Sequence, residues 1–300
     1  MGPSFARIRI HTSPADWACV KKVLDCYFPG RCFPSVSVTG NRCELMCKHC
    51  SGVFLKRMES VDGPEALLRM AARLSDAGGE GFLLTGGSDR SGKVPLERFA
   101  DAISTVKETT SLRINAHVGL MPRQGLETLV CAGVDAFSVD IYGTDSAIKN
   151  ATGLDARVPD FLSIVRDLRA LGAQAVAPHI CVGIEMGEVV GEYAAIDSLV
   201  PYAPDALVII ALMPTRGTPY ESISPPSANS TLDVIKAART ALPESRLLLG
   251  CMRPRSNRSW EVGAARAGID GIAMPTRETM RLLAENGWRL VEKRVCCALG

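Results

Sequence analysis

PDFLSIVRDLRALG (residues 159–172) runs without a break into AQAVAPHICVGI (173–184). The first stretch carries apolar residues at helical spacing and stops at a glycine, while the second is an apolar run of strand length. A helix handed directly to a buried strand is the repeating unit of a parallel α/β fold. The same alternation continues upstream and downstream. SVSVTG (35–40), GFLLTGG (81–87), SLRINAHV (111–118), VDAFSVDIYG (134–143), DALVIIALMP (205–214), SRLLLGCM (245–252) and IDGIAMP (269–275) read as the other strands. Helical spacing recurs over 64–79, 94–108, 123–133, 191–201, 229–242, 259–268 and 276–287. Eight strands alternating with eight helices over about 250 residues predict an α/β fold of the (β/α)8 TIM-type barrel kind, with an open doubly wound sheet as runner-up. No linker or composition break divides the chain. One domain is expected: a cysteine-containing extension over 1–33, a barrel over 34–287 and a cysteine-containing tail over 288–300. In either fold the chemistry belongs on loops leaving the C-terminal ends of strands.

Composition narrows the class. Of 300 residues, 47% are hydrophobic and 22% charged, as in a soluble globular protein. A net charge of +2 exerts no general pull toward nucleic acid or anionic membrane. The longest apolar run, ALVIIALM (206–213), is too short to span a bilayer. The first twenty residues lack the apolar core of a secretory signal. Eleven cysteines without an export signal point to a reducing, cytoplasmic setting, where clustered thiols bind metal more often than they form disulfides.

The loop after the first strand reads RCELMCKHCSG (42–52), with Cys43, Cys47 and Cys50 spaced C-x3-C-x2-C. A structural zinc site takes four protein ligands, usually as two separated C-x2-C pairs. His49 is a poor fourth donor because it adjoins Cys50. A [4Fe–4S] cluster held by three thiolates leaves one iron open to a small chelating molecule. A zinc loop or a redox thiol set is the competing reading. The spacing and its place on a βα barrel resemble the radical S-adenosylmethionine (SAM) superfamily, apart from His49, where that family often has an aromatic residue. The resemblance implies that SAM chelates the open iron and that one electron, from a low-potential donor, releases a 5′-deoxyadenosyl radical.

Further motifs extend the resemblance. Gly86 and Gly87 end the second strand and would admit close approach of backbone to the amino group of SAM. Ser138 and Asp140 share one face of the fourth strand, where ribose hydroxyls or a buried polar network would engage them. GIEMGE (183–188), with Glu185, and MPTRGTPY (213–220), together with LVCAGVDAFSVD (129–140), look like biotin synthase and its relatives from residue 35 to about residue 285. That likeness implies a second, sacrificial cluster on thiolates from strands two, three and five. Here only Cys181 fits, so biotin synthesis itself is not expected.

Other cysteines remain. Cys19, Cys26 and Cys32 precede the barrel, Cys251 ends the seventh strand in GCMRPR, and Cys296 and Cys297 close the chain; Cys131 reads as core. An adjacent pair gains little from packing. With Cys251 and an N-terminal cysteine such as Cys26, it would complete an auxiliary iron–sulfur cluster; plain buried or surface thiols are the alternative. Arg253 is a candidate substrate or cofactor contact or a salt bridge to helix ends, and Arg255 surface charge. His117 and His179 read as hydrogen-bonded barrel histidines and Tyr142 as a rim residue.

CELMCKHC, TGGSDRSGKVPL, GCMRPR and the terminal CCAL together resemble a biotin-synthase-like group related to the two-protein, archaeal-type lipoyl synthases. The resemblance implies sulfur insertion into an unactivated C–H bond of an octanoyl chain, delivered by an octanoylated carrier protein or peptide, with a second radical SAM subunit beside it. Another radical SAM reaction in cofactor biosynthesis (rearrangement, lyase or methylation) and a non-catalytic cluster-binding assembly protein are the alternatives.

Overall fold

A computed structural model describes residues 22–255 and 259–300, so Cys19 lies outside the described part. The eight expected strands form in order as β2 (Ser35–Ser37), β4 (Gly81–Thr85), β5 (Arg113–His117), β6 (Ala136–Ile141), β7 (Val176–Val182), β8 (Ala206–Ala211), β9 (Arg246–Leu249) and β10 (Gly271–Ala273). All pair in parallel with their neighbours in chain order. Three strands join them that the sequence pattern does not announce: β1 (Val23–Tyr27), β3 (Glu59–Ser60) and β11 (Arg289–Lys293). β1 pairs with β10, β11 adds outside β1, and β3 adds outside β2. The hydrogen-bonded ladder therefore runs from β11 to β3 with two free edges. The parallel α/β barrel class holds, but the sheet is a half-barrel and not the closed cylinder that a count of eight favours.

The expected helices form as α1 (Pro64–Asp76), α2 (Ala100–Thr109), α3 (Arg123–Cys131), α5 (Val158–Ala170), α6 (Glu192–Leu199), α7 (Ala228–Ala241), α8 (Ser259–Arg266) and α9 (Arg277–Glu285). One more, α4 (Asp145–Thr152), starts at a Thr144 cap whose hydroxyl accepts from the Ala147 amide. α1 shows why these segments are helical. Pro64 opens it, Leu67, Met70, Ala71 and Leu74 make its buried stripe, and the chain leaves through Gly78 at φ +71°.

Strand alternation splits the apolar residues into two cores. Phe137, Val139 and Ile141 of β6, Ile180 and Val182 of β7, and Leu207 and Ile209 of β8 face the helices in the larger, outer core. The inner core holds Tyr27, Phe33, Ala177, Ala206, Val208, Leu248 and Ala273 with Val295, Cys297 and Ala298. The chain's last residues are thus not a frayed tail: after β11 they turn into the half-barrel and end in a 3-10 turn (Cys297–Leu299) against β5, β6 and β10.

Arg253 has a structural task. It is fully buried. Its Nε and Nη2 donate to Glu261 Oε1 at 3.1 and 2.7 Å, Nη1 to the carbonyls of Gly250 and Ala273 at 2.6 and 2.7 Å, and Nη2 also to Met274 O at 3.3 Å. Burial alone would raise the Glu261 carboxyl, but the Thr279 hydroxyl and Arg253 hold it below its ordinary value. With every donor engaged, Arg253 ties the ends of β9 and β10 to α8. This corrects the expectation of a substrate or cofactor contact. Arg253→Ala should lower the unfolding free energy by about 3–5 kcal/mol, because it strands a buried carboxylate. A lower urea midpoint at unchanged slope checks this, and an unmoved midpoint would refute it.

Candidate active site

The cysteine loop sits on the rim formed by the C-terminal ends of the strands. Gly87 explains how it is seated there. A Cβ at Gly87 would lie 2.0 Å from the Arg42 carbonyl and 2.6 Å from Cys43 Cα. The end of β4 and the loop after β2 therefore touch backbone to backbone. The Gly87 amide donates to Thr39 Oγ1 at 2.7 Å, and the Ser88 carbonyl accepts from the Glu44 amide at 2.9 Å and lies 3.8 Å from Cys43 Sγ. The Lys48 amide donates to Ala151 O at 2.8 Å, which moors the loop to α4 as well. Gly86 abuts the Thr39 side chain. The glycine pair and the thiol triplet thus form one unit.

The bare thiols cannot all ionise together. A side-chain hydrogen bond from Cys47, helped by His49, holds Cys50 down to about 4 against its burial, and pushes Cys47 far up. Three thiolates at once need a multiply charged cationic centre among them. One buried polar atom of the loop, His49 Nδ1, has no partner. A polar ligand at the rim would satisfy it. The donor set and its surroundings fit a [4Fe–4S] cluster with a polar co-ligand.

Inside the mouth the inward residues of β5, β6 and β7 form a polar wall. Asn115 and Ser138 exchange hydrogen bonds at 3.0 and 3.1 Å. His117 Nε2 lies 3.3 Å from Asp140 Oδ2, whose side chain stays 44% exposed toward the mouth. His179 Nδ1 bonds to Ala177 O at 2.9 Å, and the His117 and His179 rings are 6.0 Å apart. Although burial would raise it, His117 and, more weakly, His179 and His49 hold Asp140 down to about 2. Burial alone would lower His117, but Asp140 outweighs it and raises the imidazole. Burial and the His117 charge press His179 down to about 4, which keeps it neutral. The network expected as the alternative to ribose binding is therefore present: Ser138 is buried and saturated by Asn115, while Asp140 keeps one side open.

Glu185 lies beyond β7, where the hydroxyls of Ser146 and Thr144 donate to its carboxylate at 2.7 and 3.1 Å. It faces the start of α4 at the rim. Sequence reasoning missed Glu192. It is 4% exposed, accepts from the Gly183 amide at 2.7 Å through Oε1, and leaves Oε2 unpartnered. As an acidic residue in the first turn of a helix it looked ordinary.

The remaining cysteines separate. Cys296 accepts from Asn115 Nδ2 at 3.5 Å inside the half-barrel. The Cys297 thiol holds Cys296 down to about 7 against its burial, aided by the Ala298 backbone and Asn115. Cys251 is open to solvent on one side, yet burial and the Cys296 charge raise its thiol. Cys297 also feels Cys251. Cys251 and Cys297 thus lie within electrostatic reach of Cys296, but the three thiols do not converge as ligands of one metal ion would. Cys26 does not join them: it points outward from β1 into the core under the helices, and burial pushes its thiol up to about 12. Cys32 sits beside Arg294, with Nη2 at 2.6 Å. Cys181 is on the inward face of β7, Cys131 is exposed on α3, and Arg255 donates to the Met274 carbonyl at 3.0 Å.

A sequence model of the radical SAM superfamily matches residues 37–187, half of the chain, and the chain belongs to that superfamily. Its cofactors are accordingly a [4Fe–4S] cluster and SAM. Within the superfamily the chain is similar to biotin synthases: it is 26% identical over 255 residues to biotin synthase of Prochlorococcus marinus, covering 79% of this chain and 72% of that one. In fold it resembles the FeFe-hydrogenase maturase HydG of Carboxydothermus hydrogenoformans, with TM-score 0.66 and 15% identity over 92% of this chain and 69% of that one. It also resembles methylornithine synthase (PylB), with TM-score 0.61 and 17% identity over 90% and 83%.

Two outcomes follow from the site. Gly87→Ala forces the Arg42–Cys43 backbone away from β4, so iron bound per chain should fall severalfold while far-UV circular dichroism stays native. Full iron content would refute the seating. Asp140→Asn removes the partner that raises His117, so its imidazole titration, followed by NMR, should move from above about 6.5 to below it. Because His117 is raised, the pair's contribution to stability is complete below about 6.5 and lost as pH climbs through the folded value. Because Asp140 is depressed, that contribution is complete above about 3.9 and lost as pH falls toward about 2.

Proposed function

We propose that the chain is a sulfur-inserting radical SAM enzyme acting on an unactivated C–H bond, as one component of lipoyl synthesis. The observation that carries this reading is that Cys251 and Cys297 lie within electrostatic reach of Cys296, which accepts a hydrogen bond from Asn115 inside the half-barrel. When bound, the cluster and SAM supply a 5′-deoxyadenosyl radical, which takes hydrogen from an alkyl carbon. The chain's own residues do the rest. Cys43, Cys47 and Cys50 would hold the cluster, and the Gly86–Gly87 cradle would leave room for SAM beside it. The walls of the half-barrel would keep water from the reactive carbon. The alkyl radical needs a sulfur donor close at hand, and the three luminal thiols are candidates to bear it, with Cys296 drawn down to about 7. They would anchor an auxiliary iron–sulfur cluster, with a fourth ligand other than Cys26.

An unactivated carbon on a slender arm suits an octanoyl group carried on a protein or peptide. A low-potential electron donor and a second radical SAM subunit complete the proposed system. The similarity to biotin synthases supports sulfur chemistry as a class. The test is anaerobic incubation of the iron-loaded protein with SAM, reductant and an octanoyl-lysine carrier peptide, followed by mass analysis. The expected result is 5′-deoxyadenosine with a sulfur-bearing peptide, and sulfur transfer lost in Cys296→Ser/Cys297→Ser. 5′-Deoxyadenosine with an unchanged peptide would overturn the reading.

A further inference from the structure

The inward positions of the strands are mostly small or polar, so strand side chains alone do not fill the half-barrel. The chain end fills its lower part. Val295, Cys297 and Ala298 pack on Tyr27, Ala177 and Val208. The segment is pinned at two heights of one strand: Arg113 Nη1 donates to the Leu299 carbonyl at 3.0 Å and Asn115 Nδ2 to Cys296 Sγ at 3.5 Å. Cys296 is the upper pin, since the next inward residue of β5 toward the rim is His117. On the other side lies a cavity of about 190 Å3 lined by Arg113, Asp135, Asp205, Arg246 and Leu299 at the strands' N-terminal ends.

From this placement we propose that residues 294–300 are the floor of the substrate chamber, and that they fix the length of the arm the enzyme accepts. The arm enters at the rim beside the polar wall of β5–β7, and its end meets Cys296. A floor made from a segment outside the sheet differs from one made of strand side chains. Few contacts hold it, so the depth changes when the pins are loosened while the walls stay in place. The acyl nature of the arm rests on the proposed function; the depth limit rests on the geometry.

The experiment measures binding of carrier peptides bearing butanoyl-, octanoyl- or dodecanoyl-lysine to the full-length, cluster-loaded protein saturated with SAM. Octanoyl should bind about two-hundredfold tighter than butanoyl if all four further methylenes are buried at about 0.8 kcal/mol each. Dodecanoyl should fall back by about tenfold because it strikes the floor. In Arg113→Ala, hydrogen exchange at amides 296–299 should quicken, and dodecanoyl affinity should recover while SAM affinity holds. If exchange does not quicken, the protein lacking residues 294–300 is read in the same way. Steady tightening through dodecanoyl in the wild type, no binding at any length, or a length limit that survives release or removal of the segment would each overturn the floor. A length limit without sulfur in the octanoyl product would leave the floor standing and overturn the reaction; sulfur transfer without a length limit would do the reverse.

Discussion

A curled parallel sheet has to fill its own inside, and this constraint orders the molecule. In a closed (β/α)8 barrel, layers of branched side chains fill the lumen. Here several inward positions cannot carry one. A Cβ at Gly250 would lie 2.4 Å from Ile210, one at Gly271 2.7 Å from the Tyr27 ring, and one at Gly81 1.9 Å from the Arg113 carbonyl. Ala177, Ala206 and Ala273 keep the inner surface low elsewhere. The space so created is shared between two large aromatic residues, the chain end and the open mouth. The outer face makes no such concession, because its Leu, Ile, Val and Phe pack against helices as in any α/β protein.

The polar wall follows from the same constraint. Polar side chains that point into a cavity need partners, and β5, β6 and β7 supply them to one another: Asn115 to Ser138, His117 to Asp140, and the Ala177 carbonyl to His179. Asp140 raises His117 and is held down by it in turn, while burial and the His117 charge press His179 down. Beside the thiol triplet, His49 helps hold Cys50 down.

What was legible in the sequence follows local physics. Helix and strand periodicity fixed eight βα units, because burial on one face writes a period into the residues themselves. The C-x3-C-x2-C spacing gave the cluster loop, since ligands within eight residues need no tertiary information to be neighbours. β1 and β11 stayed hidden because they lie at or next to a sheet edge, where one flank is enough and alternation is weak, and β3 because it is two residues long. Closure was over-read for the same reason: counting strands does not say whether the first and last ones meet. Arg253 in GCMRPR looked like a rim residue until Glu261, eight positions on, and the carbonyls of Gly250, Ala273 and Met274 took up its donors. Cys26 and Cys297 read alike as spare thiols. Strand parity sends Cys26 under the helices, and the turn of the segment after β11 into the half-barrel carries Cys297 into the lumen.

The chain end carries the last step of this logic. Under the proposed function, a ligand set for labile sulfur has to tolerate change in its own bonding during each turnover, whereas strands paired on both sides in a ladder resist displacement. Thiols mounted on β4, β5 and β7 would couple every such change to the barrel wall. Here Cys251 lies just past the end of β9, and Cys296 and Cys297 lie on a segment after β11 that pairs with no strand. Two hydrogen bonds to β5 and a patch of small apolar contacts hold that segment. Its thiols can therefore move by fractions of an ångström without breaking a backbone ladder, while the cluster loop, locked backbone to backbone at Gly87, cannot. Under the proposed function, the rigid thiols stand where a radical would have to be aimed and the compliant thiols where an atom would have to be given up.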